Sequence, residues 1–448
     1  MNDIKGRHLL LHEVSDLLDE RKMASCLIED GVTKRAGVYF CHRCGNDKPY
    51  LFAAFHCARC QKLCHYCRNC LMMGRVSECT KLISLSMDET NRPLNVELNW
   101  NGTLSKGQEK ASLKITEAIE EETPLLIWAV CGAGKTEILF KGIEKALQTG
   151  KYVCIATPRS DVVRELAPRL KQAFPKVDVA SLYGGSEDRG KLSPLTIATT
   201  HQLYRYKEAF DVMIIDEVDA FPYSVDVSLQ FAVKKAQKKK SSLIYLTATP
   251  SSFIRRQFTP LQIVKIPARY HGYPLPIPKF QWCGNWKKAL KKNRLPNPVM
   301  KWVDAHVVRE KQAFLFVPDI QTVPLVVNLL KDVHPHIEGV HAEDPHRKEK
   351  VQQFREQKVL IMVTTTILER GVTVPGADVA VLGAEQDIFT ESALVQISGR
   401  VGRSINAPTG SIIFFHFGKT NAMVQAKHHI EAMNALAHKE GLLKQSSQ

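Results

Sequence analysis

The chain has no long apolar run: nothing in it approaches the roughly 20 consecutive apolar residues of a membrane-crossing helix, which argues against an integral helical membrane protein. Its opening residues, MNDIKGRHLL, lack the apolar core of a secretion signal, so the expected place of work is inside the cell. Low-complexity blocks are missing, which excludes a fibrous or disordered chain. Acidic residues are in deficit, 46 Asp plus Glu against 61 Lys plus Arg, and the resulting formal charge of +15 favours a polyanionic partner. Cysteine is scarce over most of the length, with only Cys131, Cys154 and Cys283 beyond residue 80. The other nine of the twelve (Cys26, Cys41, Cys44, Cys57, Cys60, Cys64, Cys67, Cys70, Cys79) crowd in before it. In a reducing compartment, clustered C-x-x-C pairs point to metal rather than to disulfides.

At 448 residues the chain exceeds one hydrophobic core and implies two to three domains. It is organised around Leu125 to Thr136, LLIWAVCGAGKT. Leu125 to Val130 has the continuous apolar character of a parallel strand covered on both faces. Gly132 and Gly134 let the following backbone aim successive N–H groups at phosphate oxygens. Lys135 adds a point charge near the β- and γ-phosphates, and Thr136 a hydroxyl for Mg²⁺. A helix expected over Thr136–Leu147 turns its positive end to the same anion. This is the spacing of a P-loop, with Ala129 where the general pattern has its first glycine. Gln108, 21 residues earlier, is placed to read an adenine edge with its amide.

From 125 to 250, apolar strands alternate with helical stretches: Leu125–Val130, Tyr152–Thr157, Val177–Leu182, Leu195–Thr200, Val212–Asp216 and Leu243–Thr249. That rhythm predicts a parallel sheet covered by helices, with ligands at the carboxyl ends of its strands. Asp216 and Glu217 fall at such an end; beside the P-loop strand, Asp216 would hold Mg²⁺ and Glu217 would deprotonate the attacking water. Residues 266–298 carry six prolines and a basic, Trp-containing cluster (Lys287, Lys288, Lys291, Lys292, Arg294), and read as a linker. From 299 the alternation resumes without a second P-loop, with strands expected at Ala313–Val317, Ile337–Ala342, Val359–Thr365, Val379–Leu382 and Gly410–Phe415. Arg400 and Arg403, three apart, are expected on one helical face, available to a γ-phosphate.

Residues 1–35 are mixed, with a short amphipathic helix expected at Leu9–Leu18. Within 36–80, Cys41 and Cys44 form a knuckle that needs a second pair to complete a four-coordinate zinc site. Cys57/Cys60, Cys64/Cys67 and Cys67/Cys70 are all candidates, and spacing does not choose among them. A second metal stays open, with His42, His56 or His65 as further donors. So short a segment has few apolar residues, so metal would supply much of its folding energy.

Together these motifs resemble superfamily 2 helicases and translocases over roughly residues 100–420. Ala129 to Thr136 is similar to motif I, Ala156-Thr157-Pro158-Arg159 to motif Ia and Thr199-Thr200-His201-Gln202 to motif Ib. Asp216 to Asp219 is similar to the DExD motif, with Asp219 replacing the histidine of DExH relatives and Val218 the alanine of DEAD ones. Thr247-Ala248-Thr249 resembles motif III, Thr364-Thr365-Thr366 through Glu369-Arg370-Gly371 motif V, and Gln396 to Arg403 motif VI, whose first residue is histidine in DEAD-box enzymes. The whole chain resembles the ComFA family of late-competence proteins, through Trp128 to Thr136, Asp216 to Pro222, His341 to Asp344, Thr390 to Gln396 and the cysteine module.

That resemblance implies two tandem RecA-like α/β lobes behind a small zinc module. The expected divisions are a segment 1–35, the module 36–80, a connector 81–104, lobe one 105–265, a linker 266–298 and lobe two 299–448. It implies zinc on Cys41, Cys44, Cys67 and Cys70, and ATP with Mg²⁺ on Gln108, Ala129, Gly132, Gly134, Lys135, Thr136, Asp216 and Gln396. Catalysis would fall to Lys135, Asp216, Glu217, Arg400 and Arg403. Nucleic-acid contact or coupling would fall to Pro158, Arg159, Thr200, His201, Thr247, Thr249, Thr364 and Thr366. The implied partners are single-stranded DNA, a membrane DNA-uptake channel and other competence proteins, at the inner face of the cell membrane. The alternatives are a replication-restart helicase, whose zinc cysteines lie between the lobes instead of before them, and a non-catalytic DNA-binding adaptor.

Overall fold

The computed structural model describes residues 4–14, 18, 23–87, 93–188, 190–370, 372 and 374–444. It divides into two compact units: Met1–Thr103 with Glu109–Ile127 and Thr136–Val264, and Leu104–Gln108 with Trp128–Lys135 and Lys265–Gln448.

The first unit begins with eight short strands: β1 (His8–Leu10), β2 (Leu27–Asp30), β3 (Val32–Arg35), β4 (Val38–Cys41), β5 (Phe52–His56), β6 (Leu63–Cys67), β7 (Val76–Ser77) and β8 (Lys81–Ser84). They form an antiparallel sheet β1-β8-β2, a hairpin β3-β4 and a sheet β5-β6-β7. The helix expected at Leu9–Leu18 does not form in its described part. Leu9 and Leu10 instead pair with Ile83 and Leu82 of β8, and a 3₁₀ turn (Leu11–Glu13) follows. Strand pairing buries both leucines, with Leu9 5% and Leu10 1% exposed, a burial that a lone surface helix would not supply. Residues 15–17 of that expectation lie outside the described residues.

The rest of the first unit is dominated by a seven-stranded sheet in the order β11-β12-β10-β13-β14-β9-β15. Its strands are β9 (Leu125–Ala129), β10 (Val153–Thr157), β11 (Val179–Leu182), β12 (Leu195–Thr199), β13 (Phe210–Asp216), β14 (Gln237–Thr247) and β15 (Ile263–Ile266). The pairs β11-β12, β10-β12, β10-β13 and β13-β14 are parallel, as near-continuous apolar runs require. After the P-loop the single helix expected divides into a 3₁₀ turn (Glu137–Leu139) and an α-helix (Phe140–Gln148).

The cysteine module has no core of its own. Cys41, Cys44, Cys67 and Cys70 belong to one buried cluster with Met213 and Ile215 of β13 and with Leu229 and Val233 of the helix Val227–Ala236. Polar groups tie the same surfaces. Lys235 Nζ donates to the carbonyls of Arg43 (2.7 Å) and Tyr204 (2.9 Å) and to His8 Nδ1 (2.8 Å). With Nδ1 accepting, the ring of His8 is neutral and its Nε2–H donates to Glu29 Oε1 at 2.9 Å. Lys207 Nζ donates to the same oxygen at 2.5 Å.

The second unit holds a six-stranded sheet in the order β16-β21-β20-β17-β19-β18, parallel throughout. Its strands are β16 (Lys279–Trp282), β17 (Ala313–Phe316), β18 (Ile337–Val340), β19 (Ile361–Thr364), β20 (Asp378–Leu382) and β21 (Ile412–His416). The Pro-rich span expected as a linker thus supplies the edge strand β16, where Phe280 stacks on Phe414 with ring centroids 5.9 Å apart. It also buries Trp286, 2% exposed. An edge position tolerates the flanking prolines because one side of the strand needs no partner.

Burial and the nearby Lys235 ammonium hold the His8 pKa down at about 3, well below its ordinary value. The folded chain therefore binds fewer protons than the unfolded one between pH 6.5 and 3, so this contribution to stability is whole above 6.5 and is lost on acidification through that window. Thermal unfolding followed from pH 7.5 to 4.5 should show a falling midpoint, and His8→Asn should flatten part of that slope.

Candidate nucleotide site and metal centre

In the first unit, the parallel register sets Asp216 opposite Leu246, so the chain leaves β13 and β14 at nearly the same level. Glu217 then turns the backbone with φ of +56°, unusual for a residue with a side chain, and its N–H donates to Asp216 Oδ1 at 2.9 Å. Asp219 receives two threonines at the end of β14: Thr247, its last residue, donates Oγ1 to Oδ1 at 2.6 Å, and Thr249, just beyond it, donates Oγ1 to Oδ2 at 2.8 Å. One carboxylate thus joins the acidic turn to the Thr-Ala-Thr turn. β14 lies between β13 and β9, which corrects the expectation that the Asp216 strand and the P-loop strand are immediate neighbours. A buried Thr136, 8% exposed, accepts from Arg169 Nη1 at 3.1 Å, and the same guanidinium pairs with Glu137. Arg169 lies on the helix Ser160–Ala173 and belongs to no motif read from the sequence.

In the second unit, Gly132 and Gly134 adopt φ of +81° and +74°, the left-handed values that a phosphate-wrapping backbone needs. Lys135 is half-buried and Ala129 fully buried at the end of β9. Gln108, expected to read adenine, has both ends of its amide engaged. Its Oε1 accepts from Ser105 N at 2.8 Å, and its Nε2 donates to Ala133 O at 2.9 Å, which ties it to the loop itself. Cys131 Sγ donates to Gln396 Oε1 at 3.0 Å. Arg269, 1% exposed, donates to Cys131 O at 3.2 Å and also to Gly402 O. His271 Nε2 lies 3.1 Å from the same Gly402 oxygen. Burial lowers the Arg269 pKa to about 10. No sequence signal pointed to this arginine, because it falls in the Pro-rich span.

Arg400 and Arg403 do not share a helical face. The helix Glu391–Ser398 ends at Gly399, and Gly402 with φ of +71° reverses the chain between the two arginines. Arg400 Nε donates to Glu369 O at 3.1 Å and Arg403 Nε to Gly399 O at 2.9 Å.

Five of the residues expected at nucleic acid are interior: Pro158, Thr200, Thr247, Thr249 and Thr364. Thr364 Oγ1 donates to Val340 O at 2.9 Å. Surface remains at Arg159, which pairs with Asp161 at 3.2 Å, and at His201 and Thr366. Gly371 of the motif V stretch lies outside the described residues.

The metal expectation has a firm geometric basis. The thiol sulfurs of Cys41, Cys44, Cys67 and Cys70 lie within 4.8 Å of one another, and all four residues are buried. Cys41 and Cys70 sulfurs are 3.7 Å apart and those of Cys44 and Cys67 3.5 Å. A zinc tetrahedron with bonds of about 2.3 Å has edges of about 3.8 Å, so the donors fit the ion. Arg43, fully buried between two of them, donates Nε to Cys70 Sγ at 3.5 Å and Nη2 to Cys70 O at 3.0 Å, compensating thiolate charge. A second set, Cys57, Cys60, Cys64 and Cys79, meets the same 4.8 Å limit, and its member Cys79 belongs to no C-x-x-C pair.

Comparison with known proteins places these features. Residues 1–84 match the Competence protein ComFA N-terminal domain, 101–252 the res subunit of type III restriction enzymes, and 296–405 the helicase conserved C-terminal domain. The chain is 53% identical to Competence protein ComFA of Bacillus subtilis (strain 168), covering 97% of this chain and 95% of that one. It is 37% identical to Competence protein ComFA of Streptococcus pneumoniae (strain ATCC BAA-255 / R6), covering 96% and 98%. Among solved structures, S. cerevisiae Dbp5 bound to RNA and ADP BeF3 superposes with a TM-score of 0.56 at 16% identity over 74% of this chain and 88% of that one. RecG bound to a three-way DNA junction superposes with a TM-score of 0.52 at 19% identity over 77% and 47%. At such identities the likeness shows the two RecA-like lobes and nothing finer. The helicase domains imply use of ATP and Mg²⁺. Among the described residues no helix is long and apolar enough to cross a membrane.

Replacing Arg269 by Met takes the guanidinium from the buried Cys131 carbonyl and leaves Gly402 O with His271 as its remaining side-chain partner. Urea unfolding should show a loss of about 2–3 kcal/mol, the scale of buried groups left unsatisfied. A loss below about 0.5 kcal/mol would mean that water replaces the guanidinium.

Proposed function

This chain belongs to the ComFA family of competence proteins, and from that premise we propose that it is an ATP-dependent motor that moves single-stranded DNA during uptake of transforming DNA. The carrying observation is the Asp219–Thr247–Thr249 bridge, because it links the turn that bears the proposed water-activating acid to a second loop at the same end of the sheet. A change in the position of Glu217 is thereby transmitted to β14 through hydrogen bonds of 2.6 and 2.8 Å rather than through solvent.

In this reading Gly132, Gly134, Lys135 and Thr136 hold the phosphates of ATP, Asp216 holds Mg²⁺, and Gln108 braces the loop through Ala133 O. Bound Mg²⁺ supplies charge neutralisation on the transferring phosphoryl group. Glu217 takes the proton of the attacking water, and Arg400 and Arg403 stabilise charge on the γ-phosphate. The positive φ of Glu217 is a strained conformation of the kind kept where a side chain must be aimed. Thr136, which accepts from Arg169 at 3.1 Å, would offer its hydroxyl to Mg²⁺ in place of that guanidinium. Arg159, His201 and Thr366 offer surface to a DNA strand, while Thr247, Thr249 and Thr364 couple from inside. Cys41, Cys44, Cys67 and Cys70 would hold zinc, which would complete the module. Backbone phosphate contacts from a chain of +15 make binding salt-dependent and weakly sequence-selective. The protein works in the cytoplasm at the inner membrane face, beside an uptake channel and other competence proteins.

Lys135→Ala and Glu217→Gln should each lower ATP turnover at least a hundredfold while single-stranded DNA affinity changes less than threefold. For the wild type, single-stranded DNA should stimulate turnover more than duplex DNA or RNA does. Turnover that ignores all three polymers sinks the motor reading; stimulation by RNA alone redirects it to RNA remodelling.

A further inference from the structure

The first four-cysteine centre has a structural twin that no motif assigned. Cys41-His-Arg-Cys44-Gly45-Asn46 closes on itself by two backbone hydrogen bonds, Gly45 N to Cys41 O at 2.8 Å and Cys41 N to Asn46 O at 2.9 Å. Cys57-Ala-Arg-Cys60-Gln61-Lys62 repeats both, Gln61 N to Cys57 O at 2.7 Å and Cys57 N to Lys62 O at 3.0 Å. The residue after the second cysteine is left-handed in each, Gly45 at φ of +71° and Gln61 at +53°. For glycine that conformation is free; for glutamine it is unfavourable, so something must hold the turn.

The other two sulfurs arrive by a strand effect. Cys64 and Cys67 stand three apart on β6, and an odd separation on a pleated strand sends side chains to opposite faces. Cys67 goes to the first centre and Cys64 to the second, so the pair cannot serve one ion together. Cys79, in the turn between β7 and β8, completes the second set, with its sulfur 3.6 Å from that of Cys57, close to the tetrahedral edge of about 3.8 Å. Charge fits as well. A divalent ion on four thiolates carries a net charge of about −2, and Arg59 and Arg75 line the same cleft as Cys57 and Cys79.

We propose that Cys57, Cys60, Cys64 and Cys79 bind a second structural zinc ion, so that the module holds two metals whose ligands are divided by the pleat of β6. The two centres differ in access. All four residues of the first are buried, whereas Cys60 and Cys79 are partly exposed. The second ion therefore leaves first.

Native mass spectrometry of the full-length protein, purified under reducing conditions, should show two zinc ions per chain and no disulfide. A mercurial thiol reagent should release two equivalents in two phases. Cys79→Ser and Cys57→Ser should each hold one ion and lose the fast phase, while Cys26→Ser should keep both. If those variants fail to fold, wild-type stoichiometry and its two release phases still decide. One zinc per wild-type chain, or a Cys57–Cys79 disulfide in its place, overturns the second site and leaves the first standing. No zinc at all overturns the first centre too. The ATPase reading is untouched by either result.

Discussion

Parallel hydrogen bonding among β10, β13 and β14 is the constraint on which the rest of the first unit depends. It sets Ala156 opposite Ile215 and Asp216 opposite Leu246, so three strands end level and deliver Thr157, Asp216 and Thr247 to one rim. A one-residue slip would exchange the side chains of the two faces and undo their packing against the helices that cover each face, which holds the register. On this rim a single carboxylate, Asp219, reaches the hydroxyl of Thr247 at the end of the neighbouring strand and that of Thr249 just beyond it.

The cysteine module depends on that sheet in turn. Its own apolar content is too small for a separate core, and its buried cysteines pack into the cluster formed by β13 and the helix Val227–Ala236. Lys235 reaches from that helix to the carbonyl of Arg43, which lies between Cys41 and Cys44. The helix itself begins at Asp226, seven residues after Asp219, and Asp226 caps it by accepting from the N–H of Ser228 at 2.8 Å. Cysteine cluster and acidic turn are therefore connected through one short, capped helix, and the module packs as part of the lobe rather than as an appendage.

In the second unit the glycines do the corresponding work. Gly399 ends the helix Glu391–Ser398 and Gly402 reverses the chain, which takes Arg400 and Arg403 off a common helical face and exposes Gly402 O to Arg269 and His271. Arginine spacing in sequence reads as helical only while nothing breaks the helix. Here two glycines within four residues do so.

The chain of residues by itself determined the parallel sheets, because continuous apolar runs separated by helical stretches have few other ways to be buried. It likewise marked the P-loop glycines and the cysteine clustering, since those depend on local backbone chemistry and spacing. Family resemblance named Cys41, Cys44, Cys67 and Cys70 as one set, but tertiary structure alone brought Cys57, Cys60, Cys64 and Cys79 together, because strand faces and a turn sort them and spacing cannot encode that. It alone brought Arg269 onto the Gly402 carbonyl, Arg169 onto Thr136, and the prolines around β16 to a sheet edge. These are pairings between residues far apart in the chain, and a linear pattern carries information about neighbours only.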